Sequence, residues 1–373
     1  MKRVVAISTK EDLKSFIDFP HDLYANDPNY VPELFIAQRD LLTPGKHPFH
    51  VHSQVQLFLA YDHNKIVGRI AAILNNNHNQ FNNTKDGFFG FFDCVEDVET
   101  SDMLFNHAEE WLKQKGASSI IGPANFSTNE TCGLLVDGYD TPPFAMMPYN
   151  KAYYQSLLGE KGFAKKVDLI AYRFGDEGYN DKSLKIKDAL LRRLQHKGIT
   201  IRPVDKKNFQ NEVAKIREVY NAAWDRNLGF VPMTEKEFDH MAKDVKLVLD
   251  TDFCMVAEKD NKIIGFALAI PDINQVLINI KRGRLLPLGL FKLLFGLKKI
   301  NGIRIIALGV VEGYRKLGIE ACFYGNIIEA YRRKNFKHAE ASWILEGNDL
   351  MNRAIQNING HPHKRYRIFE KAI

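Results

Sequence analysis

Residues Leu308 to Tyr324 read LGVVEGYRKLGIEACFY. An apolar strand ends in a short polar turn carrying Arg315, Lys316 and Gly318, and an amphipathic helix starts directly behind it. A helix start presents unpaired backbone N–H groups and the positive end of the helix dipole, so this junction is a ready cradle for an anion. Gly318 lets the backbone approach a ligand closely, and a pyrophosphate fits the arrangement. The same glycine also suits a plain tight turn, so the surroundings decide what the segment means.

Those surroundings occur twice. Ala257 to Gly265 read AEKDNKIIG and Ala60 to Gly68 read AYDHNKIVG, an offset of 197 residues. Both predict a β-hairpin, an apolar run, a polar Asp/Asn turn and a second apolar run. Gly162, after the helical YYQSLL of 153–158, matches Gly360 after MNRAIQNIN, and closing strands follow as VDLIAYRF (167–174) and KRYRIFEK (364–371). Between these anchors the first copy runs GFFGFFDCV, LFNHAEEWLKQKG and SSIIGPAN, and the second IRIIALGVV, GIEACFYGNIIEAYRRKN and HAEASWIL. With the leading helices EDLKSFIDF and NEVAKIREVYNAAW, the pattern is a duplicated α+β unit. The copies differ in two long connections. The second carries INIKRGRLLPLGLFKLLFGLKKING before its fourth strand, and the first carries a loop from Asn125 to Asn150 after its fifth, too apolar for simple disorder.

Composition sets the outer bounds. The 373 residues predict two domains, and 45% hydrophobic with 26% charged residues is ordinary globular usage. The start, MKRVVAISTKEDLK, has neither a secretory nor a transit pattern, so a cytoplasmic location is expected. Cys94, Cys132, Cys254 and Cys322 lie far apart with no CxxC pair, which predicts buried thiols and neither disulfides nor a zinc site. His47, His50 and His52 lack companion carboxylates or cysteines and read as loop packing. His361 and His363 flank Pro362 in what reads as a turn. The longest apolar run, Leu285 to Leu297, is broken by Lys292 and is shorter than the roughly 20 residues a membrane span needs.

The net charge of +6 hides an asymmetry. Residues 1–180 hold 16 basic and 23 acidic residues, a net −7, leaving +13 for the remainder. The insert at 281–304 has seven basic residues and no acid, so the positive field is expected from that insert, beside the phosphate loop.

Arg315 to Glu320, RKLGIE, resembles the RxxGxG/A pyrophosphate loop of the GNAT acyl-CoA N-acyltransferases and follows a strand where that family has it. The element order, the NKIIG hairpin and Asn348 beyond the fifth strand fit as well. GFFGFFD, YNKAYY and ASWILEGN are similar to bacterial two-domain GNAT-like proteins. The resemblance implies an α+β fold of two GNAT-like domains, each a mixed, mostly antiparallel sheet flanked by helices. Residues 1–177 would be a degenerate domain without the pyrophosphate loop, 178–197 a linker and helix, and 198–373 a domain with the acyl-CoA site and the 281–304 insert.

Carried onto this sequence, Leu308, Gly309 and Val310 would face pantetheine. Arg315, Lys316, Leu317, Gly318, Ile319 and Glu320 would hold phosphate, with Asn348 nearby. Glu320 departs from the family, which has Gly or Ala there. In the first copy the corresponding place reads CVEDVETSD, whose Glu96, Asp97, Glu99 and Asp102 would repel a phosphate. That domain is expected to bind no CoA and to supply substrate-side surface through its 125–150 loop. The family's proton-donor tyrosine is replaced by Gln356, so Tyr366 is the substitute acid and Glu346 the preferred base.

The implied function is an acyl-CoA-dependent N-acyltransferase, acetyl-CoA or a longer acyl-CoA giving its acyl group to a small-molecule or peptide amine, without a metal. Two other readings stay open. One is an aminoacyl-tRNA-dependent transferase. The other is a non-catalytic GNAT-fold protein that binds acyl-CoA or lipid, motivated by Gln356 and Glu320. The insert reads as a membrane-surface or lipid-contacting element, or as a lid or partner-covered helix. Concentrating the charge there makes nucleic acid the less expected partner.

Overall fold

The computed structural model describes residues 1–174, 182–223 and 229–373. The first copy runs β1 (Lys2–Ala6), α1 (Lys10–Leu23), α2 (Phe35–Leu42), β2 (Gln54–Asp62), β3 (Lys65–Leu74), α3 (Asn76–Asn82), β4 (Asp86–Cys94), α4 (Val98–Gln114), β5 (Ser119–Gly122), β6 (Leu134–Asp137), α5 (Tyr154–Glu160) and β7 (Ala164–Phe174). The second runs α6 (Lys182–Gln195), β8 (Ile199–Pro203), α7 (Phe209–Ala223), α8 (Glu235–Val248), β9 (Cys254–Lys259), β10 (Lys262–Pro271), α9 (Asn274–Leu277), α10 (Gly289–Leu297), β11 (Gly302–Val310), α11 (Ile319–Arg333), β12 (His338–Leu345), α12 (Asp349–Gln356) and β13 (His361–Ala372).

The repeat is visible residue by residue in the hairpins. Ala60 pairs with Gly68 across β2 and β3, and Ala257 pairs with Gly265 across β9 and β10, each beside a register shift. Asp260 and Asn261 both take positive φ, +49° and +62°, which suits a primed turn whose twist matches its strands. The first hairpin turns differently, with positive φ at His63 alone of its two turn residues, yet pairs Asp62 with Lys65 as the second pairs Lys259 with Lys262.

Packing divides the elements into two compact units that are not consecutive in sequence. The first contains Met1–Leu169, Asn274–Lys298 and Lys364–Ile373, and the second Ile170–Ile273 and Lys299–His363. The division expected from sequence, 1–177, 178–197 and 198–373, was consecutive, and residues 175–181 at its junction lie outside the described residues. The 274–298 segment joins the first unit through ion pairs of Arg282 and Arg284 with Asp22 and Asp18, and the 364–373 segment joins it by strand completion. In the first unit, Phe369–Ala372 of β13 pairs antiparallel with Ser119–Gly122 of β5, and β6 pairs with Arg365–Arg367.

In the first unit the sheet order is β1-β2-β3-β4-β5 followed by the end of β13, with α4 and α5 packed on one face through Leu104, Phe105, Ala108, Leu112 and Leu158. A buried ion pair, Arg69 Nη2 to Asp93 Oδ2 at 2.7 Å, joins β3 to β4. The Tyr24 and Tyr154 hydroxyls donate to Asp93 Oδ1 at 3.0 and 3.2 Å, tying in α1 and α5. The 125–150 loop is packed rather than open. Phe126 is buried and stacks on Phe49 at 4.4 Å, and Asn150 Oδ1 accepts from the Leu135 N–H at 2.7 Å.

The second unit orders its strands β12-β11-β10-β9-β8, all antiparallel except the parallel β11/β12 pair. Alternation along the strands separates two layers. Met255, Ala257, Ile303, Ala339 and Ala341 pack with Ile319, Cys322 and Phe323 of α11. Cys254, Val256, Ile263 and Phe266 pack with Val219 of α7.

His21, buried on α1, yields a stability prediction. Burial lowers its pKa to about 4, with Arg69, Arg282 and Arg284 adding to the shift and Asp22 opposing it. Its Nδ1 bonds the Tyr30 hydroxyl at 3.0 Å. Above pH 6.5 the imidazole is neutral in folded and unfolded chains alike. Below it the unfolded chain takes up a proton that the folded chain refuses until about pH 4, so stability falls across that window. The expected loss is on the order of 2–3 kcal/mol, read from urea melts at stepped pH. His21→Gln should flatten the slope, and an unchanged slope would assign the acid sensitivity elsewhere.

Candidate functional site

The parallel ladder of β11 and β12 starts at Gly302↔His338 and stops at Ile305↔Ala341. β11 continues to Val310 while remaining paired to β10 on its other side, with a register shift next to Ile306. From Ile306 to Gly309, one edge of β11 thus has no strand partner among the described residues. Leu308, Gly309 and Val310 lie at the end of β11, beyond its last pair with β12.

Beyond Val310 the chain turns tightly. Gly313, Lys316 and Gly318 take positive φ of +87°, +66° and +96°. Arg315 Nε donates to the Val310 carbonyl at 3.0 Å and so ties the loop to the strand end. Gly318 is the N-cap of α11, in the left-handed region and with no side chain capping the helix. The first backbone bond into the helix is Cys322 N–H to Gly318 O at 3.1 Å, which leaves the amides of Ile319, Glu320 and Ala321 at the helix start. Gly318 also has a packing reason to be glycine, because a Cβ there would lie 2.8 Å from Leu190 Cδ2. Glu320 stands in the first turn, where its charge adds to burial in raising the Tyr324 hydroxyl pKa.

The equivalent place in the first unit is built differently. After Phe88↔Ile121 the free edge of β4 is taken by the chain itself, with Ala124 N–H to Phe89 O and Phe91 N–H to Asn125 Oδ1, both 2.8 Å. The start of α4 is capped by Asp97, which accepts from the Thr100 N–H at 2.8 Å, and Lys2 Nζ bonds Asp97 and Glu99 at 2.7 and 2.6 Å.

Other residues singled out from sequence are dispersed. Asn348 Oδ1 accepts from the Met351 N–H at 3.2 Å and so caps α12. Glu346 is exposed in the turn after β12, and its carbonyl accepts from Asn352 Nδ2 at 3.1 Å. Tyr366 is wholly buried in the first unit, in a pair with Leu135, so it and Glu346 belong to different units. His47 caps a short helical turn, and His50 Nε2 bonds the Leu41 carbonyl at 2.9 Å. All four cysteines are buried and none forms a disulfide. Burial raises the Cys94 and Cys254 thiols to about 12 and the Cys322 thiol to about 11, so these three are not ready nucleophiles. Among the described residues, no group of three His, Cys, Asp or Glu is placed to hold a metal, and no helix is long and apolar enough to cross a membrane.

A set that sequence reading passed over lies where the ladder ends. Glu340 is fully buried on β12, and its Oε2 is 2.7 Å from His363 Nε2. Ser342 Oγ donates to Glu340 Oε1, and Arg304 donates to Ser342 through Nε to Oγ at 2.8 Å and Nη2 to the carbonyl at 3.1 Å. Arg304 is the register partner of Glu340, one step before the last pair of the ladder. This face points away from α11, since Ile303, Ala339 and Ala341 occupy the α11 side. His363 is in β13, not in the turn that Pro362 suggested. With Nε2–H donating to the carboxylate, the imidazole is held in one tautomer and one orientation, the logic of a carboxylate-oriented base.

No family model matches the chain. A tandem GNAT protein from the clavulanic acid biosynthesis pathway superposes with a TM-score of 0.58, at 9% identity over 100% of this chain and 98% of that one. A GCN5-related N-acetyltransferase from Sphaerobacter thermophilus gives 0.52, at 12% identity over 99% and 95%. In sequence, Protein YghO of Escherichia coli (strain K12) is 37% identical over 98% of this chain and 94% of its own length. The Bacterial ceramide synthase of Caulobacter vibrioides is 35% identical over 99% and 97%. The chain belongs to the family of these two relatives. Its fold is the tandem GNAT fold of the two solved structures, which at 9% and 12% identity bear on the fold alone. In this tandem GNAT protein, the open strand edge, the bare helix start and the Glu340–His363 pair all fall within the second unit.

Proposed function

We propose that this tandem GNAT protein transfers an acyl group from acyl-CoA to the amine of a long-chain amino alcohol, through its second unit. One observation carries the reading. The unpaired edge of β11 runs directly into the uncapped start of α11, a row of backbone groups for an amide-bearing arm followed by a cradle for its pyrophosphate. The relative named for ceramide synthesis supports the acceptor, because a ceramide is the amide of a fatty acid and a long-chain amino alcohol.

In this reading, Leu308 to Val310 align the pantetheine arm, and the turn from Arg315 to Glu320 holds phosphate through its backbone. Asn348 fixes the start of α12. His363, oriented by Glu340, takes the proton that the amine nitrogen sheds as it attacks the thioester carbonyl. The C–N bond forms, the C–S bond breaks, and the leaving thiolate takes up the proton that His363 received from the amine. Glu346 and Tyr366 carry no step. The first unit binds no CoA, a reading supported by the filled edge of β4 and the acid-capped start of α4.

The test supplies palmitoyl-CoA and a long-chain 2-amino alcohol, with acetyl-CoA and a short amine as comparators, and follows thiol release together with the mass of the organic product. Thiol release that requires both partners, with the amide mass appearing in step, is expected. Thioester hydrolysis without amide, or ligand retained without turnover, would overturn the reading, the second in favour of a binding protein.

A further inference from the structure

The basic, apolar insert makes a surface that ordinary packing rules do not explain. Its first part is pinned within the first unit. Arg282 pairs with Asp22, and Arg284 Nη2 pairs with Asp18 at 2.8 Å while its guanidinium lies 3.3 Å from the Phe35 ring centroid. Asn274 Nδ2 donates to the Pro143 carbonyl at 2.9 Å. Arg304 is buried on β11, so all three arginines of the seven basic residues are engaged, while Lys292 Nζ donates to the Asn279 carbonyl at 2.9 Å and stays exposed.

Helix α10 is then docked by its glycines. A Cβ on Gly296 would lie 2.5 Å from Val276 Cγ1, and one on Gly289 would lie 2.1 Å from the Arg284 carbonyl oxygen. These two residues, two turns apart on one side, let the helix lie close on the segment before it, Gly289 against the Arg284 backbone and Gly296 against the Val276 side chain. Its large side chains are consequently turned outward. Phe291 and Phe295 are 57% and 68% exposed, Leu294 is 54% exposed, and Leu286 and Leu288 extend the patch in front of the helix. This inverts the usual surface helix, whose apolar stripe faces the core. Lys281, Lys292, Lys298 and Lys299 are exposed around it, and no acidic residue occurs between Asp272 and Glu312.

We infer that α10 is a membrane-docking helix, which seats Leu286, Leu288, Phe291, Leu294 and Phe295 in the interfacial region of an anionic bilayer while the surrounding lysines meet its phosphates. Charge complementarity selects this occupant. A rim of lysines without acids matches an anionic lipid surface, and two weak signals, apolar insertion and electrostatic attraction, combine to hold a peripheral protein. A self-complementary dimer face would bring the two lysine rims together unpaired. The inference stands on the helix and not on acyl transfer, because docking is read without turnover.

The experiment is co-sedimentation of the full chain with phosphatidylglycerol-rich vesicles and with pure phosphatidylcholine vesicles, at low and high salt. Binding to the anionic vesicles, weakened by salt, is expected. Phe291→Ser with Phe295→Ser should lower partitioning at least about tenfold, and Lys292→Glu with Lys298→Glu should remove the preference for anionic lipid. Leu247→Ser, at an equally exposed leucine on α8, should change nothing, and circular dichroism checks that each variant is folded. Absence of vesicle binding, or binding indifferent to the phenylalanine pair, overturns the inference. A solution dimer that this pair converts to monomer overturns it in favour of a second copy.

Discussion

Gly318→Asp should abolish acyl-CoA binding, with affinity falling about 1,000-fold, or ~4 kcal/mol. Three effects act in the same direction. The position has φ of +96°, where an L residue is strained by about 1–2 kcal/mol. A Cβ would press on Leu190 at 2.8 Å, although a leucine end can give way. The carboxylate would occupy the helix start proposed as the anion cradle, taking its amides and repelling phosphate. Gly318→Ala separates these effects, because it keeps the strain and the contact but adds no charge. Calorimetric titration with CoA should show the alanine variant binding within about tenfold of the wild type, after a stability loss on the order of 1–2 kcal/mol. If the aspartate variant binds as the alanine variant does, phosphate is held elsewhere.

His363→Ala should lower kcat by about 100- to 1,000-fold with little change in KM for acyl-CoA, the size of effect a general base supplies. Glu340→Gln keeps the shape and the contact at 2.7 Å but removes the carboxylate that fixes the imidazole tautomer. Its expected signature is a smaller fall in kcat with KM for acyl-CoA unchanged. A purely structural role would lower stability and leave kcat of the folded protein in place. Because Glu340 is fully buried and bonded to Ser342 as well, some loss of stability, about 1–3 kcal/mol, accompanies either substitution.

The parts of this fold that were legible are those encoded locally. The two NKI(V/I)G hairpins announce themselves because turn residues and alternation act over a few neighbours, and the turn at Gly318 because a strand, a glycine and a helix are consecutive. The proposed base was harder to see. Glu340 and Arg304 each stand as a lone charge in an apolar strand, HAEASWIL and IRIIALGVV, which is a signal, but their pairing depends on parallel register. His363 needs β13 to bring it back to β12, and Pro362 beside it suggested a turn instead. Asn348, read as a cofactor contact, is engaged as a helix cap, a role that the sequence N-D-L-M supports equally. The destination of the insert was not legible at all, because nothing in its residues specifies Asp18 and Asp22 some 260 positions earlier.

The last strand has a consequence for how the protein is made. Residues 364–373 complete the sheet of the first unit, whose other strands are all translated within its first 169 residues. At ribosomal speeds of roughly 5–20 residues per second, that sheet waits about 10–40 s with the edge of β5 open. The nascent first unit therefore needs shielding during synthesis, and separate expression of residues 1–177 yields a fragment that carries this open edge permanently. A peptide of the closing strand added in trans is the natural remedy, and the route to assembling the protein from two pieces.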